Sequence, residues 1–340
     1  GDFDDNSNYI VYRDNHYVAV DSWEVRDYVN NDHIKRGKLA FDIETREVKT
    51  EVVFVGETPT YLLNATILSM VFQPSRGKKF KQTFITDRDK NCCVKFIEWL
   101  SEEASKGRYY NIIAHNGARF DFYLIMSYFK QNDIDQCEPQ FRNTSIIGFN
   151  YKNHLFKDPC CFLTNSLKNL CKGYLVTPEE KAFCKLTKIK IGHITLTNEQ
   201  LCFYKPELDF WEFMELEKTD PPFWSEYIKY CEYDCESLYL VWDKFKEQLE
   251  SIVNEMGNKA GFGGALWGKL GFNKINTIGS LAKRLLELIN TKKLKDKTKD
   301  YKLMNMFVNG DTEKYEFVMK FKRGGISHSN QMGIHREGIC

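Results

Sequence analysis

The sequence predicts an α/β fold, a mixed sheet of five or six strands with helices on its faces and a group of acids at the edge of a cleft. Three stretches carry that expectation. The run Lys38-Leu-Ala-Phe-Asp-Ile-Glu-Thr45 has the apolar character of a buried strand, yet it holds two carboxylates, Asp42 and Glu44. Residues 111–121 pass from a short apolar run through an Asn-Gly pair into a helical pattern. Residues 224–249 form the longest helical pattern of the chain.

The bounds are those of an ordinary globular protein: 340 residues, 42% hydrophobic and 28% charged. That length suits one large domain with something smaller attached. A net charge of +1 supplies no global field for a polyanion, so any nucleic-acid contact has to come from local patches. The eleven cysteines include no C-x-x-C pair and do not group with the seven histidines, which argues against a zinc motif. The adjacent pairs Cys92-Cys93 and Cys160-Cys161 do not resemble a disulfide framework, so free thiols in a reducing compartment are expected. An acidic start (Gly1-Asp-Phe-Asp-Asp5) without an apolar core is no signal peptide, and no run approaches the roughly 18 apolar residues of a membrane span. The expectation is a soluble intracellular protein, with no membrane partner.

Residues 9–12 and 16–20 predict a hairpin turning at 13–15, and Ser22 is placed to cap a helix to about residue 31. After the acidic strand, residues 52–55, 66–73 and 83–85 are strand-like, separated by Gly56, Pro59 and Pro74-Ser-Arg-Gly77, which predicts an antiparallel meander. Residues 92–104 place Val94, Ile97 and Leu100 on one helical face. Residues 111–114 form a short buried strand, and His115-Asn-Gly-Ala-Arg-Phe-Asp121 opens a helix running to about Phe129, Gly117 allowing the tight turn. Residues 146–156 predict a hairpin turning at Lys152-Asn153; a short helix starts near Ser166, and 174–198 is lysine-rich and irregular. Asp220-Pro-Pro222 is a start signal for the long helix, in which Tyr230 and Asp234 share a face one turn apart. The six glycines of 257–271 predict an irregular linker, followed by a helix over 277–289. Residues 291–323 carry ten Lys/Arg against five acids, a local excess that could track a phosphate backbone.

In a strand, residues i and i+2 point the same way, so Asp42 and Glu44 repel each other on one face unless a cation lies between them. An edge strand with its acids in water is the plain alternative. Asp121 at a helix start and Asp234 on the long helix, where an inward acid needs compensation, bring the acids to four. Hard divalent ions favour such oxygen ligands, and Mg²⁺ or Mn²⁺, two ions, suits four carboxylates clamped on a phosphodiester. Tyr230, whose free pKa of about 10 is too high for a base at pH 7, would orient the attacking water. The reaction class is metal-assisted phosphodiester hydrolysis.

Asp42-Ile-Glu44, Asn116 to Phe120-Asp121, and Tyr230 to Asp234, in this order, resemble the D-x-E, N-x3-F-D and Y-x3-D motifs of the 3′–5′ exonuclease region of family B DNA polymerases. These are DEDDy members of the DnaQ-like, RNase H-like exonuclease fold. Ser166-Leu167-x2-Leu170 is similar to the S/T-L-x2-h motif of the protein-primed members, and Lys322-Arg323-Gly324-Gly325 resembles their Y-x-G-G motif with lysine in place of tyrosine.

The resemblance implies catalytic roles for Asp42, Glu44, Asp121, Tyr230 and Asp234, with the four acids as metal ligands. It implies DNA contacts at Thr45, Asn116, Phe120, Ser166, Leu167, Arg323, Gly324 and Gly325. A catalytic lysine in a K-x2-h motif is implied as well: Lys181 first, then Lys188 or Lys190. The expected partners are a single-stranded DNA 3′ end, primer-template DNA and a terminal-protein primer. The implied organisation is a hairpin and helix over 1–34, an exonuclease domain over 35–250, and a linker with the start of a polymerase domain over 251–340. No D-x2-S-L-Y-P and no D-T-D follows Gly325, so an N-terminal piece of a larger polymerase is expected. A catalytically silent module binding DNA or terminal protein, and a 3′–5′ exoribonuclease, are the alternative readings.

Overall fold

The computed structural model describes residues 9–13, 16–20, 34–174, 188–191, 194–197 and 208–297. Strands β1 (Tyr9–Arg13) and β2 (His16–Val20) pair antiparallel as the expected hairpin. The helix expected from Ser22 lies outside the described residues.

The main sheet has seven strands in the order β5-β4-β3-β6-β9-β8-β7, not five or six. Strands β3 (Arg36–Val55), β4 (Thr58–Gln73) and β5 (Phe80–Ile85) form the expected antiparallel meander. The two strand-like segments around Asp42 and Val52 are one continuous strand, with register shifts at Glu44/Thr45 and between Val48 and Val52 absorbing the irregular residues. Helix α1 (Cys92–Ser105) returns the chain to β6 (Tyr109–Ile113), parallel to β3. Next come α2 (Asp121–Met126), shorter than expected, α3 (Gln131–Gln136) and the added edge strand β7 (Gln140–Arg142). The hairpin β8 (Ser145–Tyr151) and β9 (His154–Lys157) turns where expected and sets β9 parallel to β6. Helix α4 (Leu167–Tyr174) and a separate strand pair, β10 (Lys188–Ile191) with β11 (Ile194–Thr197), follow.

The last part is helical: α5 (Phe210–Met214), α6 (Leu216–Thr219), α7 (Pro221–Lys259), α8 (Leu266–Leu270) and α9 (Ile278–Lys297). Asp220 accepts the Phe223 N–H at 3.3 Å and two prolines occupy the first turn, so α7 starts where its sequence signal places it.

Alternation along β3 sorts its side chains between two layers. Leu39, Phe41 and Ile43 enter a core with α1, where the Phe41 ring lies 5.2 Å from that of Phe96. Ala40 on the other face joins a second core with Leu238, Val241 and Trp242 of α7. That core continues through Leu266, Leu270, Leu281 and Leu285, so the glycine-rich stretch is not simply a linker. A Cβ on Gly257 would lie 2.7 Å from the Leu266 Cβ: this glycine lets α8 pack on α7. A third cluster joins Ile67, Phe210, Phe213, Trp224, Tyr227 and Cys231.

Candidate metal centre

Asp42 and Glu44 lie on the face of β3 that α7 crosses. On that helix, Tyr227, Cys231 and Cys235 meet the sheet at successive turns. The Tyr227 hydroxyl is 2.8 Å from Thr66 Oγ1, which itself donates to the Glu44 carbonyl at 2.9 Å. Cys231 Sγ lies 3.5 Å from the Asp42 carbonyl oxygen and 3.8 Å from Asp42 Oδ2. Cys235 Sγ donates to the Ser69 carbonyl at 3.1 Å. Tyr230 and Asp234 precede two of these contacts by one position and are half-buried. One carboxylate oxygen each from Asp42 and Glu44, together with Cys231 Sγ, lie within 4.8 Å of one another.

Asp121 opens α2 and is only 4% exposed, and its Oδ1 has no hydrogen-bond partner. The electrostatics tie the acids together. Burial pushes Asp42 up to about 6. Glu44 is held well above the usual carboxylate range, by burial first and then by the charges of Asp42, Asp234 and Asp121. Asp121 is raised likewise, by burial and then by Asp42. Glu44 therefore feels the charge of the other three acids expected from the sequence, and Asp121 feels that of Asp42, repulsions that a cation between them would relieve.

The turn before Asp121 is held from a distance. Asn116 adopts a left-handed conformation with φ 61°, and a Cβ on Gly117 would lie 2.8 Å from the Phe122 ring. The carboxylate of Asp158, itself 2% exposed, accepts the N–H groups of Asn116 at 3.0 Å, Ala118 at 3.1 Å and Cys160 at 2.9 Å. Sequence reasoning missed Asp158; the Asp-Pro pair closing β9 was its only signal. It missed Cys231 too, a lone cysteine beside Tyr230.

Of the residues expected to meet DNA, Asn116 and Ser166 are exposed, and Thr45 and Phe120 are half-buried near the acids in sequence. Ser166 Oγ accepts the Asn169 N–H at 3.4 Å at the start of α4, and Leu167 packs against the second core. Lys188 and Lys190 fall in β10. Lys181, Arg323, Gly324 and Gly325 lie outside the described residues, as does most of the basic run.

The donor set suits hard divalent ions: several carboxylates, one with a buried and unpartnered oxygen, with Asp42, Glu44 and Asp121 displaced toward protonation chiefly by burial. Among known proteins, the family model described as DNA polymerase type B, organellar and viral, matches residues 102–340, more than half of the chain. The chain belongs to this family. Its members are DNA polymerases, enzymes that act on DNA with divalent metals. A solved family B DNA polymerase from the hyperthermophilic archaeon Pyrobaculum calidifontis is similar at 13% identity with a TM-score of 0.42. The match covers 76% of this chain and 29% of that polymerase. No curated protein matches. Among the described residues, no helix is long and apolar enough to cross a membrane.

Proposed function

We propose that this chain is the proofreading part of a protein-primed family B DNA polymerase, a 3′–5′ exonuclease that shortens single-stranded DNA ends. The observation that carries this reading is the convergence of Asp42, Asp121 and Asp234 on Glu44, with the buried Asp121 Oδ1 left unpartnered. Those four side chains would hold two Mg²⁺ or Mn²⁺ ions. When bound, such ions activate the attacking water and neutralise charge on the phosphate and leaving oxygen. Tyr230 orients the water by its hydroxyl. Asn116 and Phe120, on the turn before Asp121, grip the terminal nucleotide, with Thr45, Ser166 and Leu167 along the strand path. The new bond joins the water oxygen to phosphorus; the bond to the 3′ oxygen of the preceding nucleotide breaks, and a nucleoside 5′-monophosphate leaves.

In this reading residues 35–250 form the exonuclease domain and 251–340 lead toward a polymerase domain that would use primer-template DNA. Residues 1–34 form a prelude. Lys181 and the segment Arg323-Gly324-Gly325 would assist catalysis and DNA binding, and a terminal protein would prime synthesis.

The test is a 5′-labelled single-stranded DNA incubated with Mg²⁺ or Mn²⁺, compared with RNA of the same sequence. A ladder shortening from the 3′ end is expected, lost by several orders of magnitude in Asp42→Ala/Glu44→Ala with the fold intact. Equal cleavage by wild type and double variant would remove the metal reading, and faster cleavage of RNA would change the substrate.

A further inference from the structure

The carboxylates of this centre are not its only ligand atoms. Cys231 stands on the part of α7 that faces Asp42, one residue from Tyr230 and three from Asp234. Its thiol cannot drift from the acids, because Tyr227 one turn before and Cys235 one turn after are both bonded to β4. Its distance to Asp42 Oδ2 is 3.8 Å. Around a tetrahedral ion with metal–sulfur and metal–oxygen distances of about 2.3 and 2.0 Å, neighbouring sulfur and oxygen ligands stand about 3.5 Å apart. The sulfur therefore already sits within a few tenths of an ångström of a ligating separation, and the Glu44 oxygen lies within 4.8 Å of both other atoms. A second sign that this space takes a cation is Asp121, which is 4% exposed and whose buried Oδ1 has no hydrogen-bond partner.

We propose that the centre also binds a thiophilic divalent ion of the zinc–cadmium class through Asp42, Glu44 and the Cys231 sulfur, and that this occupancy displaces the hard ions. Magnesium and manganese ignore a thiol and use the carboxylates alone, whereas zinc and cadmium gain a sulfur bond. The balance is simple: the metal–sulfur bond forms, the S–H bond breaks, and the proton leaves to solvent with no change of oxidation state. The binding half of this proposal stands on geometry; the inhibitory half rests on the nuclease reading.

The probe is Cd²⁺ alone, titrated into the full chain and followed by the ultraviolet sulfur-to-cadmium charge-transfer band. Other cysteines contribute background, so the measured quantity is the difference between variants. Cys231→Ser is expected to remove one saturable component and to weaken the tightest Cd²⁺ binding at least about tenfold. Asp42→Asn/Glu44→Gln should remove the same component, and excess Mn²⁺ should suppress it in the wild type without any substitution. An identical titration in Cys231→Ser, or a component indifferent to both Mn²⁺ and the carboxylate variant, overturns the proposal. A parallel assay of Mg²⁺-dependent DNA shortening separates the two readings. Cleavage without the cadmium component leaves the nuclease and removes the thiol site. The component without cleavage does the reverse. With both present, Zn²⁺ should slow the reaction and a chelator should restore it.

Discussion

Replacing Asp158 by alanine tests how the turn carrying Asn116 and Asp121 is held. Its carboxylate accepts three backbone N–H groups, and burial raises its pKa despite those bonds and the nearby Arg119 charge. Removing it strands the buried Ala118 N–H, at about 2 kcal/mol, while the Asn116 and Cys160 donors recover part of their loss from water, at about 1 kcal/mol each. The sum is about 4 kcal/mol, a large part of the roughly 5–15 kcal/mol that typical domains possess. Asp158→Asn keeps one accepting oxygen but turns an N–H donor toward another donor, so about half that loss is expected. Urea unfolding at unchanged m-value gives the stability, and amide exchange at Ala118 gives the local effect. Because Asn116 holds a left-handed conformation that its surroundings must impose, the turn should loosen in both variants. Single-stranded DNA binding should then weaken even where Asp158→Asn is fully folded. A loss below 1 kcal/mol for alanine, with unchanged exchange at Ala118, refutes the reasoning.

Two further outcomes follow from the same site. Asp42 keeps its proton to about pH 6 in the folded chain but only to about 4 unfolded, so between those values the native state binds more protons. Metal-free stability should therefore fall as pH rises from 4 through 6, by up to about 3 kcal/mol from this group, and Mn²⁺ at pH 7 should restore it; thermal shifts rising with pH without metal would contradict this. Phe120→Ala should weaken single-stranded DNA binding about ten- to a hundredfold, as expected for a lost base–aromatic contact, with little change in melting temperature. A variant that melts early but binds normally per folded molecule would make Phe120 a packing residue.

What the sequence made legible was local and periodic. Alternation alone put Asp42 and Glu44 on one face, and an i, i+4 spacing put Tyr230 and Asp234 on one side of a helix. The Asp-Pro-Pro start, the Lys152-Asn153 turn and the meander rest on short-range signals as well. Long-range effects were hidden. Gly56 marks the turn as expected, but Pro59, which reads as a break, lies within β4 and pairs with Phe54 just behind the tip pair Val55–Thr58. Gly257 reads as a helix breaker, but its lack of a side chain serves a helix contact nine residues away. Asp158 serves backbone groups about forty residues earlier, and nothing in its neighbourhood predicts that. Cys231 is buried, and only the fold shows which carboxylate it touches.

What holds the acids together against their charge is the register of α7. Its contacts with the sheet recur every four residues: Tyr227 with Thr66, Cys231 with Asp42, Cys235 with Ser69, Tyr239 with Gln73 at 2.8 Å and Asp243 with Lys38 at 2.8 Å. A four-residue step advances a helix by slightly more than one turn, so this stripe drifts around α7 as the helix crosses β3 and β4 obliquely. A slip of one turn would move Asp234 by about 5.4 Å and break all five contacts at once. No single contact is strong, and two are thiol contacts. Their shared register, with apolar packing at both ends of the stripe, opposes the mutual repulsion of Asp42, Glu44, Asp121 and Asp234. The position of Asp234 is thus set by the register of the whole stripe, and the helix delivers it as a rigid body.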